Sequence, residues 1–257
     1  MLKLLIYMKI INTIKKIISY LLLPLHIIIF YIIKPKTVVI LGMHRSGTSC
    51  ITRILNKCGL SLGSETIKPD KGNPYGYWEN LSVFWINKRI LNASNGSWDN
   101  PPKKLYENVY IKFEILRTLY ARNWFNPDLL IKDPSLVITW KIWEKYLRFY
   151  KVVIVFRNPK SVACSLRKRD KMPIKEGIEL WEKYNNILLS DSIVKNAIFL
   201  DFDNDAAFKK KFKKIGSFLK INFKPKYLKF FNPSFKTFGF KNNQKRSKTY
   251  KNLLNKC

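Results

Sequence analysis

Thr37-Val-Val-Ile-Leu-Gly-Met-His-Arg-Ser-Gly-Thr-Ser49 is the stretch on which the fold turns. Its first five residues are a short run, apolar after Thr37 and rich in β-branched side chains, as in a strand buried on both faces. Gly42 and Gly47 then bracket a turn, and Cys50-Ile-Thr-Arg-Ile-Leu-Asn-Lys57 spaces its apolar residues as a helix does. Strand, glycine turn and helix together offer backbone N–H groups and a positive helix end to a phosphate. A Walker A loop carries a lysine directly after its second glycine, where it reaches the β- and γ-phosphates. Here that position is Thr48, and the cation inside the loop is Arg45. The loop is expected to hold a nucleotide's 5′-phosphate without being built to cleave a triphosphate.

Working outward, Tyr150-Lys-Val-Val-Ile-Val-Phe156 is a second buried-strand run, followed by Arg157-Asn-Pro-Lys-Ser-Val-Ala-Cys-Ser165, a turn opening into a helix. Arg157 sits at the strand's C-terminal end, the edge at which open α/β sheets bind ligands. Ser165 lies about two helical turns further on. A guanidinium fork and a neutral hydroxyl donor would converge there on one anion. Strands at about 37–41, 128–132, 151–156 and 197–201 alternate with helical stretches, the pattern of a parallel sheet flanked by helices. The fold expected is α/β, with a P-loop-like parallel sheet and an apolar N-terminal membrane segment. The expected divisions are 1–36 for that segment, 37–240 for one globular domain and 241–257 for a basic tail.

These two phosphate motifs, in this order, resemble those of the sulfotransferase family. Its 5′-phosphosulfate loop is similar to Arg45-Ser46-Gly47-Thr48-Ser49, and its 3′-phosphate motif to Arg157 through Ser165. Asn73-Pro-Tyr-Gly-Tyr-Trp-Glu-Asn80, Ser97-Trp-Asp-Asn-Pro-Pro102, Ile131-Lys-Asp-Pro134, Phe199-Leu-Asp-Phe202 and Phe218-Leu-Lys-Ile221 resemble bacterial members that act on cell-surface or lipid-linked glycans. The resemblance implies 3′-phosphoadenylyl sulfate (PAPS) as donor, no metal, and a hydroxyl acceptor on a glycan or lipid-linked sugar. Two other classes share the loop. A phosphate-loop kinase or NTPase is disfavoured by the missing lysine and the lack of an acidic metal motif. A non-catalytic basic membrane-binding protein of the same fold is the other.

Sulfuryl transfer makes demands like those of phosphoryl transfer: in-line geometry and neutralisation of charge on the departing phosphate. Arg45 is placed to neutralise that charge, with Thr48 and Ser49 donating hydrogen bonds. A hydroxyl acceptor also needs a base. Glu79 stands where glycan sulfotransferases tend to place a catalytic glutamate. Asp133, directly after Lys132 at a strand end, stands where cytosolic relatives place a histidine. Glu79 is preferred, with Asp133 as second carboxylate or positioner, and His44 is expected to pack beside the loop. The aromatic segment from Tyr75 to Trp98 is expected to meet the acceptor. The helix Glu176 to Tyr184 is a further candidate wall of the cleft, and Lys236 a weaker contact.

Lys and Arg number 48 against 17 Asp and Glu, a formal net charge of +31. Such charge attracts polyanions, but no zinc-finger spacing or RNP-type motif accompanies it, so no specific nucleic-acid partner is expected. Cys50, Cys58, Cys164 and Cys257 show no metal or disulfide spacing, and reduced thiols fit a cytoplasmic catalytic domain. Residues 17–33 are almost unbroken apolar sequence between Lys15-Lys16 and Lys34, at the short end of the roughly 17–25 residues that span a bilayer. Membrane association is therefore expected, with lipids as partners. The topology stays open between a single span, which Lys3, Lys9, Lys15 and Lys16 oppose, and a re-entrant hairpin bent at Pro24. A Golgi-type anchor, with Asn92 and Asn95 as glycosylation sites, is the alternative.

Overall fold

The computed structural model describes residues 10–11, 13–14, 17–33, 36–63, 65–70, 76–121, 128–195, 197–230 and 247–257. Residues 73–75 of the Asn73 motif and residues 231–236, including Lys236, lie outside them. In chain order the elements are α1 (Leu23–Ile33), β1 (Thr37–Leu41), α2 (Thr48–Lys57), α3 (Leu81–Ala93) and α4 (Val109–Leu116) with a π-helical turn, Arg117–Ala121. There follow β2 (Leu129–Lys132), α5 (Leu136–Trp143), β3 (Tyr150–Phe156), α6 (Pro159–Asp170), α7 (Ile174–Leu188) and α8 (Asp191–Val194). β4 (Ala197–Asp201), α9 (Asp205–Leu219), a 3-10 turn (Pro225–Phe230) and α10 (Lys248–Asn255) complete the described chain.

The four strands are parallel, in the order β2-β1-β3-β4. Alternation along each strand sends its side chains to two separate cores. Val39, Leu41, Ile131, Val152, Ile154 and Phe156 face α3 to α7 and α10. Val38, Ile40, Leu130, Val153, Val155 and Leu200 face α2, α9 and the 3-10 turn. Both faces being covered, the strands read as near-continuous apolar runs, as a parallel sheet requires. After β1 the chain leaves toward β2 on one side; after β3 it leaves toward β4 on the other. The order therefore reverses between β1 and β3, and a crevice opens above their C-terminal ends. Both phosphate motifs follow those two strands.

The outer edge of β2 is closed locally. Leu130 N donates to Ser61 O at 2.7 Å. The Asn80 side chain accepts from Lys132 N at 2.9 Å and donates to Leu130 O at 3.0 Å. One amide thus serves as a strand neighbour, removing two unpaired edge groups and bringing Glu79 beside Lys132.

The expected N-terminal membrane segment is overturned: among the described residues no helix is long and apolar enough to cross a membrane. The apolar run is interrupted by a turn at Leu22, where Pro24 supplies no N–H to continue the ladder. The remaining α1 has 11 residues, about 16 Å of helix against a hydrocarbon thickness of roughly 30 Å. It packs on the π-helical turn, burying Leu23 and His26, and Tyr31 accepts from Arg148 Nε at 3.1 Å. At the other end, part of the expected basic tail forms the helix α10. Its Tyr250 and Leu253 are buried, and Tyr250 meets Trp181 and Phe156 edge-on.

Candidate active site

The glycine loop turns sharply at the end of β1. Gly47, at φ +90°, caps α2 without a side-chain hydrogen bond. A Cβ on it would lie 2.3 Å from the Phe202 ring, and one on Gly42 would lie 2.3 Å from Val155 O. Arg45 occupies the left-handed region at φ 68°, a conformation that costs a non-glycine residue and persists where surroundings impose it. Its Nε donates to Ser165 Oγ at 2.7 Å, linking the two phosphate motifs across the crevice.

The second motif is held from three sides. Asn158 caps α6, accepting from Lys160 N and Ser161 N, and Pro159 takes the helix position that needs no N–H. Asp203, after β4, accepts from Arg157 Nε and from Asn158 N, each at 2.8 Å. Trp181 Nε1, on α7, donates to Arg157 O. Arg157 is therefore buried in an ion pair with Asp203 rather than presented as an open fork. Ser161, Ser165 and Arg169 follow at i, i+4 and i+8 on one face of α6. Arg169 lies over Trp98, 5.5 Å from its ring centre, and pairs with Asp170 at 2.8 Å.

Cations crowd this edge. Burial first, then the nearby Arg169 and Arg157 guanidinium groups, lower the Arg45 pKa. Asp170, itself paired with Arg169, offsets part of this effect, but among the described residues Arg45 forms no ion pair. Two hydroxyls, Ser46 Oγ in the first motif and Ser161 Oγ in the second, are buried without a hydrogen-bond partner. An anion bridging the two turns would satisfy these donors and offset the repulsion.

Beside the loop lies a cavity of about 850 Å³ lined by Arg45, Thr48, Ser49, Glu79, Lys132 and Asp133, with α3 along one wall. The carboxylates there differ. Glu79 accepts from Lys132 Nζ at 2.6 Å, and that ammonium also donates to Tyr77 O and Ser49 Oγ, filling its three donors. Ser49 Oγ itself donates to Tyr77 O, so of the two loop hydroxyls expected to face a donor, this one is already engaged. Asp133 accepts from Asn87 Nδ2 and Ser135 N, both at 2.9 Å. Asn87 in turn accepts from Thr139 and Trp143. Burial and then the charge of Glu79 push the Asp133 carboxyl up to about 7. His44 packs on Trp98, ring centres 4.6 Å apart. Burial, then Arg169, Lys132 and Arg45, drive its imidazole well below the usual range, so it is neutral at pH 7.

Arg45, Ser46, Gly47, Thr48, Ser49, Glu79, Lys132, Asp133, Arg157 and Ser165 thus lie at the C-terminal edge of β1, β2 and β3. Tyr77, Phe84, Trp85 and Trp98 of the aromatic segment line the cavity, whereas none of its lining residues comes from α7. Arg169, Asn87 and Asp203 escape sequence reasoning. The i+4 step from Ser165 was the one signal pointing to Arg169; nothing local marks the other two. Among the described residues no three His, Cys, Asp or Glu side chains are grouped to hold a metal, and none of the four cysteines forms a disulfide.

No family model matches the chain, and no curated protein matches it in sequence. Among solved structures it is similar to the sulfotransferase domain from the Synechococcus PCC 7002 olefin synthase, with a TM-score of 0.49 and 16% identity over 79% of this chain and 80% of that one.

Proposed function

We propose that the protein is a sulfotransferase that uses PAPS and acts on a hydroxyl of a sugar-bearing acceptor. One observation carries this reading: a glycine loop without a Walker lysine, whose arginine reaches the second phosphate motif and lies close to Arg157 and Arg169 with no ion pair of its own among the described residues. Such a cluster suits a nucleotide with phosphates at both the 5′ and 3′ positions. The buried, unpartnered hydroxyls of Ser46 and Ser161 fit the same group. Gly42, Ser46, Gly47 and Thr48 would hold the 5′ side, and Ser161, Ser165 and Arg157 the 3′ side. Bound there, PAPS supplies the sulfuryl group: the acceptor O–S bond forms, the S–O bond to the 5′-phosphate breaks, and 3′-phosphoadenosine-5′-phosphate (PAP) leaves.

The protein's own groups divide the remaining work. Arg45 stabilises charge on the leaving phosphate but, permanently protonated, donates no proton. Asp133 takes the acceptor's proton; a carboxyl titrating near neutrality suits a base at pH 7. Glu79 is the positioning residue, holding Lys132 under Ser49 and Tyr77. The sequence preference between the two carboxylates is thereby reversed.

The test is calorimetric binding of PAP, ADP and 5′-AMP to the full chain and to Arg45→Ala. PAP should bind well ahead of the others. The variant should lose about ten- to a hundredfold, as for one hydrogen bond to a charged group at roughly 1.5–3 kcal/mol. Equal binding of PAP and 5′-AMP would remove the 3′-phosphate site and the donor assignment with it.

A further inference from the structure

One face of α3 carries side chains that the fold does not need. At 3.6 residues per turn, Ser82, Val83, Ile86, Asn87 and Ile90 form its core-facing stripe. The opposite stripe, which a helix packed on one side normally keeps polar, holds Leu81, Phe84, Trp85, Lys88 and Asn92, and all five line the cavity. Trp85 is 44% exposed. Phe84 meets it edge-on at 5.2 Å between ring centres, and the Lys88 ammonium lies 5.1 Å from its ring. Ile67, Trp98 and Pro134 line other walls of the same cavity. This apolar strip is continuous with Arg45, Lys132 and Asp133, and the volume suits a drug-sized ligand.

We infer that the acceptor is an amphiphile: its hydroxyl-bearing head sits at Asp133, and an apolar limb lies along Leu81, Phe84 and Trp85 of α3. This rests on the sulfuryl-transfer reading of the same cavity and names its acceptor class. A free saccharide would press unpaired hydroxyls against Leu81, Phe84 and Ile67, which offer no hydrogen bond. An alkyl, acyl or prenyl limb removes apolar surface from water on both partners. Lys88, at the far end of the strip, keeps its charge in solvent while its stem covers the limb.

The experiment titrates the full chain, with and without saturating PAP, with methyl, hexyl and octyl β-D-glucosides below their micelle concentrations. Each methylene that reaches the strip should tighten binding about fourfold, so octyl, two methylenes longer, should exceed hexyl by roughly fifteenfold. Trp85→Glu, at an exposed position that tolerates a polar residue, should flatten the series. Equal binding of methyl and octyl glucoside would overturn the inference. So would a series unchanged in both Trp85→Glu and Leu81→Glu, because the chains would then sit elsewhere, as on the exposed apolar residues of α1. Failure of PAP to bind would refute the donor reading alone, while the series without PAP still judges the limb.

Discussion

Replacing Lys132 by Met keeps an unbranched side chain of similar length and deletes one charge. Lys132 and Glu79 have side chains 1% and 8% exposed, with 2.6 Å between Nζ and Oε1. Removing one member of a buried pair leaves the other charge without compensation, which costs about 3–5 kcal/mol. The two neutral acceptors add little, because Tyr77 O still receives the Ser49 hydroxyl. For a chain of this size the loss corresponds to a fall of roughly 6–20 °C in Tm. Urea denaturation followed by tryptophan fluorescence measures it directly. Adding Glu79→Gln to Lys132→Met should recover most of the stability, since the uncompensated charge is then gone. A single-variant loss below about 1 kcal/mol, or a double variant no more stable than the single one, would refute the reasoning.

Asp133 makes stability pH-dependent. Its folded pKa, about 7, lies above its unfolded value near 3.9. Between those values the native state binds the extra proton, so unfolding free energy falls as pH rises, by at most about 4 kcal/mol in total. Asp133→Asn keeps an oxygen for Asn87 and Ser135 and should remove this slope from urea titrations at pH 4 to 8, while abolishing sulfuryl transfer. An unchanged slope would place the titration elsewhere. Gly47→Ala meets both the +90° φ and the Phe202 ring; it should cost more than about 1 kcal/mol and weaken PAP binding, with Phe202→Ala in the same chain recovering part of the stability. Wild-type PAP affinity in Gly47→Ala would show that the loop does not hold the nucleotide.

Much of this protein was legible in the chain because the relevant patterns are local. Four apolar runs of four to seven residues mark strands buried on both faces, and they appear within a residue of the expected bounds. The glycine spacing of 42 and 47 and the Asn158-Pro159 helix start are short-range signals of the same kind. The N-terminal run misled for the converse reason. Composition reports how apolar a stretch is, not whether one unbroken helix carries it, and the turn at Leu22 before Pro24 decides that.

What the tertiary structure alone decided is pairing across long separations. Asp203 pairs with Arg157 from 46 residues away. Lys132 binds Glu79 and not the adjacent Asp133, because Asn80, bonded to the edge of β2, sets the preceding residue beside the ammonium. That choice separates two carboxylates of similar chemistry into one paired with an ammonium and one held by the neutral donors Asn87 and Ser135. The periodicity of α3 shows two apolar stripes but not which one meets the sheet; packing assigns Val83, Ile86 and Ile90 to the core and leaves Phe84 and Trp85 to the cavity. Short-range pattern determines the elements and their loops, since it depends on dihedral preference and side-chain spacing. The roles of charged and aromatic residues depend on which neighbours desolvate them, and only the assembled sheet edge determines that.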